Sequence, residues 1–159
     1  MTRLPNLRDI ELVEASVRRT ATFAEAAEVL ISHPVATIAV LDDDEQVVGL
    51  FGGEELVGGL FPGYLSELRH TAFASEDAGI LEERAREMET ATVEKHMRRP
   101  VTVDRDTSTL HVAERFLHCD FEALAVVEGD RFLGMLPRAD FCRAVLRTHG
   151  SAKTPRASS

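Results

Sequence analysis

Apolar and polar positions along the chain follow one spacing pattern, and they follow it twice. After Thr22, the residues Phe23, Ala26, Ala27 and Leu30 recur at helical spacing. Val35–Leu41 is then a nearly continuous apolar run with β-branched residues, as expected of a buried strand. Asp42-Asp43-Asp44-Glu45 is a polar turn, Val47–Phe51 returns as a second strand, and Glu54–Leu60 opens a second helix. The second half repeats this order. Leu110, Ala113, Phe116 and Leu117 give the helical spacing, and Ala123–Val127 and Arg131–Leu136 read as strands about Glu128-Gly129-Asp130. Ala139–Leu146 opens the closing helix. Thr22 and Ser108 stand where N-caps belong, because their hydroxyls accept from free amides of the first turn. Thr22-x-x-Glu25 completes a capping box; the second copy has His111 in the glutamate position.

The two copies align residue by residue. From Thr22 to Ser108 the offset is 86, and it pairs Ala27 with Ala113, Glu28 with Glu114, Ala39 with Ala125 and Val40 with Val126. After the turn it is 85, pairing Gly49 with Gly134, Leu50 with Met135 and Glu55 with Asp140. The one-residue step falls between two strands, where turns tolerate insertions. An internal repeat decides the fold. We expect an α/β (α+β) protein of two β-α-β-β-α units, each too short to cover its own sheet, packed sheet to sheet as a pseudo-twofold pair with a cleft at the seam. The divisions are a first repeat over 8–70, a helical connector over 71–92, a second repeat over 93–148 and a disordered tail over 149–159.

Four fragments of the second copy carry a family resemblance. They are His96-Met97-Arg98-Arg99-Pro100-Val101-Thr102-Val103, Asp106-Thr107, Phe121-Glu122-Ala123-Leu124-Ala125-Val126-Val127 and Gly134-Met135-Leu136-Pro137-Arg138-Ala139-Asp140. In this order they resemble the CBS domain, and the two copies resemble the tandem pair called a Bateman module. The resemblance implies a regulatory module, not an enzyme, that binds AMP, ADP, ATP or S-adenosylmethionine and forms a disc-shaped homodimer. It places Asp140 on the ribose hydroxyls, where one carboxylate meets two donors. Adenine falls in a slot near His96, Val101, Phe121, Glu122 and Ala123. The family's Ser/Thr is replaced by Pro137, which has neither hydroxyl nor amide hydrogen. Arg138, Arg98 or Arg99 would then supply the positive charge. In the first copy Gly52 and Glu55 hold the equivalent places, so that copy departs further.

Charge sharpens this asymmetry. Residues 1–92 carry 7 basic and 18 acidic groups, and residues 93–159 carry 11 and 9, so the halves are net −11 and +2. A phosphate-bearing ligand suits the second half better. The overall −9 argues against nucleic acid or an anionic membrane as partner. No signal-like segment or membrane-length apolar run occurs. With Cys119 and Cys142 as the two cysteines, a cytoplasmic, reduced protein is expected. His111 and His118 share a helix face without a third metal ligand, and no phosphate-loop, dinucleotide or nucleophile-elbow motif is found. In residues 57–92, Gly-Leu-Phe-Pro-Gly-Tyr either packs over the module or at a dimer seam or belongs to a plain connecting helix, the reading that is favoured, ahead of an acidic helix over 75–89. Two functional readings stay open. One is a stand-alone sensor that binds an adenosine nucleotide and modulates a partner protein. The other is a dimerisation scaffold whose pocket has degenerated.

Overall fold

The computed structural model describes residues 4–60 and 76–153. In the first repeat, β1 (Ser16–Arg18), α1 (Phe23–Ser32), β2 (Thr37–Leu41), β3 (Val47–Gly52) and α2 (Gly53–Leu60) follow in order. A helix α3 (Glu76–Glu89) leads to the second repeat: β4 (Thr102–Asp104), α4 (Thr109–His118), β5 (Ala123–Glu128), β6 (Arg131–Pro137) and α5 (Arg138–Lys153). The expected β-α-β-β-α order therefore holds in both copies. Each makes a three-stranded sheet in which the middle strand runs parallel to the first and antiparallel to the third. Even the register repeats. Val17 faces Val40 and Val103 faces Val126, and the ladder shifts at Val40/Leu41 and again at Val126/Val127.

Local chemistry sets the element ends. The Thr22 hydroxyl accepts from the Glu25 amide at 3.2 Å, and the Ser108 hydroxyl accepts from that of His111 at 3.3 Å. The acidic turn is organised by its own backbone: Asp42 Oδ1 accepts from the amides of Asp44 and Gln46, both at 2.9 Å. The turn after β5 has only Gly129 and Asp130, and Gly129 adopts φ +60°, a left-handed conformation that glycine takes without strain.

Among the described residues, three apolar clusters form the core. Ala39, Leu50, Phe121, Ala123, Ala125 and Met135 lie between the two sheets and join the repeats. The other two lie under the helices, and each recruits the segment that leads into the opposite repeat. Leu7, Ile10 and Leu12 pack with Val103, Val112, Phe116 and Leu136 of the second repeat, whereas Met88, Val93 and Met97 pack with Phe23, Ile38, Val40 and Phe51 of the first. Isolated antiparallel bridges pin these crossings, Val13 to Met135 and Leu50 to Arg98. Arg8 adds Nε and Nη2 bonds of 3.0 and 2.8 Å to Asp106, and the Thr109 hydroxyl donates to the Pro5 carbonyl.

Two readings from the sequence change. The buried face of α4 is Val112 and Phe116, with Ala113 packed beside them, while Leu110 and Leu117 are 71% and 81% exposed. Of the spacing read through Leu110, Ala113, Phe116 and Leu117, Ala113 and Phe116 meet the core, whereas Leu110 and Leu117 fall on the solvent side and Val112 takes the place against the sheet. The closing helix also continues to Lys153, past residue 149 where a polar tail was read. Of the Gly-Leu-Phe-Pro-Gly-Tyr stretch, Gly59 and Leu60 end α2 and the rest lies outside the described residues, as do residues 154–159; α3 matches the acidic helix.

Candidate functional site

The second helix of each repeat starts where the third strand ends, and the same hydrogen bond ties it to the middle strand. The Gly53 amide donates to the Ala36 carbonyl at 3.3 Å, and the Arg138 amide to the Glu122 carbonyl at 2.7 Å. This fixes the first turns of α2 and α5 at the edge of the inter-repeat seam. Glu55 and Asp140, which occupy equivalent positions in those turns, behave differently. Glu55 Oε2 accepts from the Gly52 amide at 2.7 Å, and its side chain is 6% exposed. The equivalent donor for Asp140 would be the amide of residue 137, but that residue is Pro137 and has no N–H. Asp140 instead pairs with Arg143 at 2.7 Å, one turn along α5, and stays 36% exposed.

Beside Glu55 the seam opens into a cavity of about 190 Å³. The first repeat contributes the start of β2, Gly52, Gly53, Glu54 and Glu55, and the second contributes Arg98, Asp120, Phe121 and Glu122. Gly53 leaves its part of the wall open, because a Cβ built there meets nothing within 4 Å. Arg98 crosses the cavity. Its guanidinium lies 4.4 Å from the Phe121 ring centroid, 3.0 Å from Glu54 and 3.5 Å from Glu55. A planar cation on an aromatic face, flanked by carboxylates, is a favourable arrangement.

The residues singled out from the sequence therefore distribute over four places. Glu55, Phe121 and Glu122 come together in this cavity. Asp140, Arg138 and Pro137 lie at the mirror position around the start of α5, with Pro137 buried. There Arg138 folds back: Nη2 donates to the Phe121 carbonyl at 2.7 Å, Nη1 is 3.7 Å from Glu122, and the buried Nε has no hydrogen-bond partner. His96 is turned into the first repeat, with its ring edge-on to Phe23 at 4.9 Å. Val101 and Ala123 are packing residues of the sheet-to-sheet core. Sequence reasoning placed Phe121 and Glu122 with Asp140. The structure brings them against Glu55, because a strand start serves the cleft of the opposite repeat as well as its own. Asp120, Glu54 and Thr37 also line the cavity without having been picked out. Glu54 adjoins Glu55, a residue the repeat pairs, whereas Thr37 and Asp120 adjoin none and carried no such signal. Among the described residues, no group of three or more His, Cys, Asp or Glu side chains is placed to hold a metal ion.

This architecture, two sheets of identical register meeting at a seam with one helix start at each edge, defines a tandem module built on a single repeated unit. The CBS domain model matches residues 7–60 and 93–147, and the chain belongs to the CBS domain family. No curated protein matches the chain. Solved structures agree on the fold. The CBS-pair protein CBSX2 from Arabidopsis thaliana superposes with a TM-score of 0.70 at 20% identity, covering 94% of this chain and 99% of that one. CBSX2 in complex with AMP gives 0.64 at 21% identity, covering 91% and 98%. The CBS domain of a CBS domain containing membrane protein from Sphaerobacter thermophilus gives 0.69 at 21%, covering 90% and 89%. Among the described residues of the present chain, no helix is long and apolar enough to cross a membrane.

Proposed function

We propose that this protein is a non-catalytic regulatory module that binds an adenosine-type ligand at the seam between its repeats and passes its occupancy to a partner protein. The observation that carries the reading is the cavity beside Glu55. It draws its walls from both repeats and holds a buried carboxylate next to an aromatic face and an open glycine main chain. A carboxylate of this kind accepts from the vicinal hydroxyls of a ribose, and Phe121 offers a stacking face. Asp140, with Arg138 as its basic neighbour, is the corresponding position in the second copy and a second candidate for the ribose. That a CBS-pair neighbour is crystallised with AMP supports an adenosine ligand.

Regulation then follows from linkage. A ligand that touches both repeats favours the arrangement in which both walls are in place, and a partner that distinguishes the arrangements reads the occupancy. A homodimer and a cytoplasmic setting accompany this reading. Isothermal titration with AMP, ADP, ATP and S-adenosylmethionine tests it: saturable heat with at least one of them is expected. Flat traces with all four at millimolar concentration overturn it in favour of a ligand-free scaffold. A specific observation favours that alternative: Arg98 and Arg138 both already grip Phe121, one on its ring and one on its carbonyl.

A further inference from the structure

We infer that two copies of this chain pair head to tail, the acidic α1/α2 face of one lying on the basic α4/α5 face of the other. This rests on the homodimer of the reading above, gives it an orientation, and holds whichever ligand binds. Among the described residues six large apolar side chains are exposed, and five of them stand on the repeat helices: Ile31 on α1, Val57 on α2, Leu110 and Leu117 on α4, and Leu146 on α5. Ile31 and Leu117 are repeat mates at the offset of 86, and Ile31 is 84% exposed. The two helices of each repeat lie side by side. A Cβ on Gly59 of α2 would meet the Phe23 ring of α1 at 2.5 Å, and the rings of Phe116 on α4 and Phe141 on α5 stand 5.4 Å apart. Exposed apolar groups gathered on particular faces, unlike ones scattered singly, mark an interaction surface.

Charge identifies what covers these faces. α1 and α2 carry Glu25, Glu28, Glu54 and Glu55 and no lysine or arginine, so that pair of helices is net −4. α4 and α5 carry five lysines and arginines against Glu114 and Asp140, net +3. Glu28 stands one turn before Ile31, whereas Arg143 and Arg147 flank Leu146. Head-to-head pairing sets acidic on acidic and basic on basic. Turning one copy end for end sets each acidic face on a basic one. Every copy carries both faces, so one twofold axis makes the contact twice and closes the pair. The apolar residues serve either orientation, because Ile31 and Leu117 are equivalent positions; the charges choose between them. In the single copy these side chains stand in water, so truncating one shows in association and not in the protomer's own stability.

Sedimentation equilibrium of the full chain is the first test. A monomer–dimer equilibrium is expected, and added salt weakens it. Glu28→Lys and Arg147→Glu, each made separately and checked for folding by circular dichroism, each raise the dissociation constant several-fold. Nitroxide labels give the orientation directly. In a background with Cys119 and Cys142 replaced by serine, Ser32→Cys and His118→Cys mark equivalent ends of α1 and α4. Pulsed electron resonance is expected to find position 32 nearer to position 118 of the second copy than to its position 32. A dimer that tightens with salt or with either charge reversal, or a shorter 32–32 distance, overturns the orientation and leaves the homodimer standing. A monomer at every concentration overturns both, the faces then being met by a different protein or by residues 61–75, and leaves adenosine binding to its own titration.

Discussion

Gly134 and Gly49 sit where the leading segment of the opposite repeat crosses each sheet. A Cβ on Gly134 would lie 2.7 Å from the Leu12 Cβ and 3.3 Å from the Val13 carbonyl oxygen, so backbone and a side-chain root both stand in the way. A Cβ on Gly49 would run into the side chain of Met97, chiefly its sulfur, which is the adaptable end of a flexible chain. Gly134→Ala is therefore expected to cost ~1–3 kcal/mol, within the range for overpacking a core, and Gly49→Ala less. Urea unfolding followed by circular dichroism measures both; equal costs would show that Met97 does not yield. At this same scale one missing amide explains the unlike chemistry of the two copies. Glu55 has a backbone donor behind it and Asp140 has proline.

Among the elements, α4 shows how little periodicity says about phase. Leu110 and Leu117 satisfy helical spacing as well as Val112 and Phe116 do, and the sheet chooses between them. Val112 and Phe116 are buried with Val103, Leu124 and Val126, with Ala113 packed beside them, and Leu110 and Leu117 are left exposed. Phe116→Ala is expected to destabilise by ~3–5 kcal/mol, as for other buried aromatic truncations. The adjacent Leu117→Ala is expected to stay within ~0.5 kcal/mol, because the side chain is already in water. Thermal unfolding of the two variants side by side is the check, and a large loss for Leu117→Ala would put the apolar face back where the spacing alone suggested. The caps were more legible. Thr22 and Ser108 act on amides three residues away, and a contact that local is written in local sequence.

For the whole molecule, the reciprocal crossing of the leading segments makes the two repeats mutually dependent. Leu7 is 2% exposed, yet among the described residues every other buried member of its cluster belongs to the second repeat. Leu7→Ala is expected to cost ~2–5 kcal/mol and to lower hydrogen-exchange protection in β4–β6, about a hundred residues away in sequence, as well as near the mutation. Loss confined to residues near position 7 would contradict this coupling. The same interdependence is what gives a seam ligand leverage, since moving one wall of the cavity moves a segment on which the other repeat's core depends.

The sequence by itself determined the repeat, the order of elements within it, the helix caps, the turns and the pairing of Glu55 with Asp140. All of these are local patterns or copies of local patterns, which spacing and residue type specify directly. It also marked Pro137 and Gly52 as the points where the copies part. Tertiary structure decided which face of α4 is buried, where the leading segments dock, and which strand start meets which helix start. It joined Phe121 and Glu122 to Glu55, turned His96 toward Phe23 and laid Arg98 across the cavity. These depend on how two sheets are set against each other across a pseudo-twofold axis. No spacing along one chain records that geometry, because the contacts it creates join residues far apart in sequence.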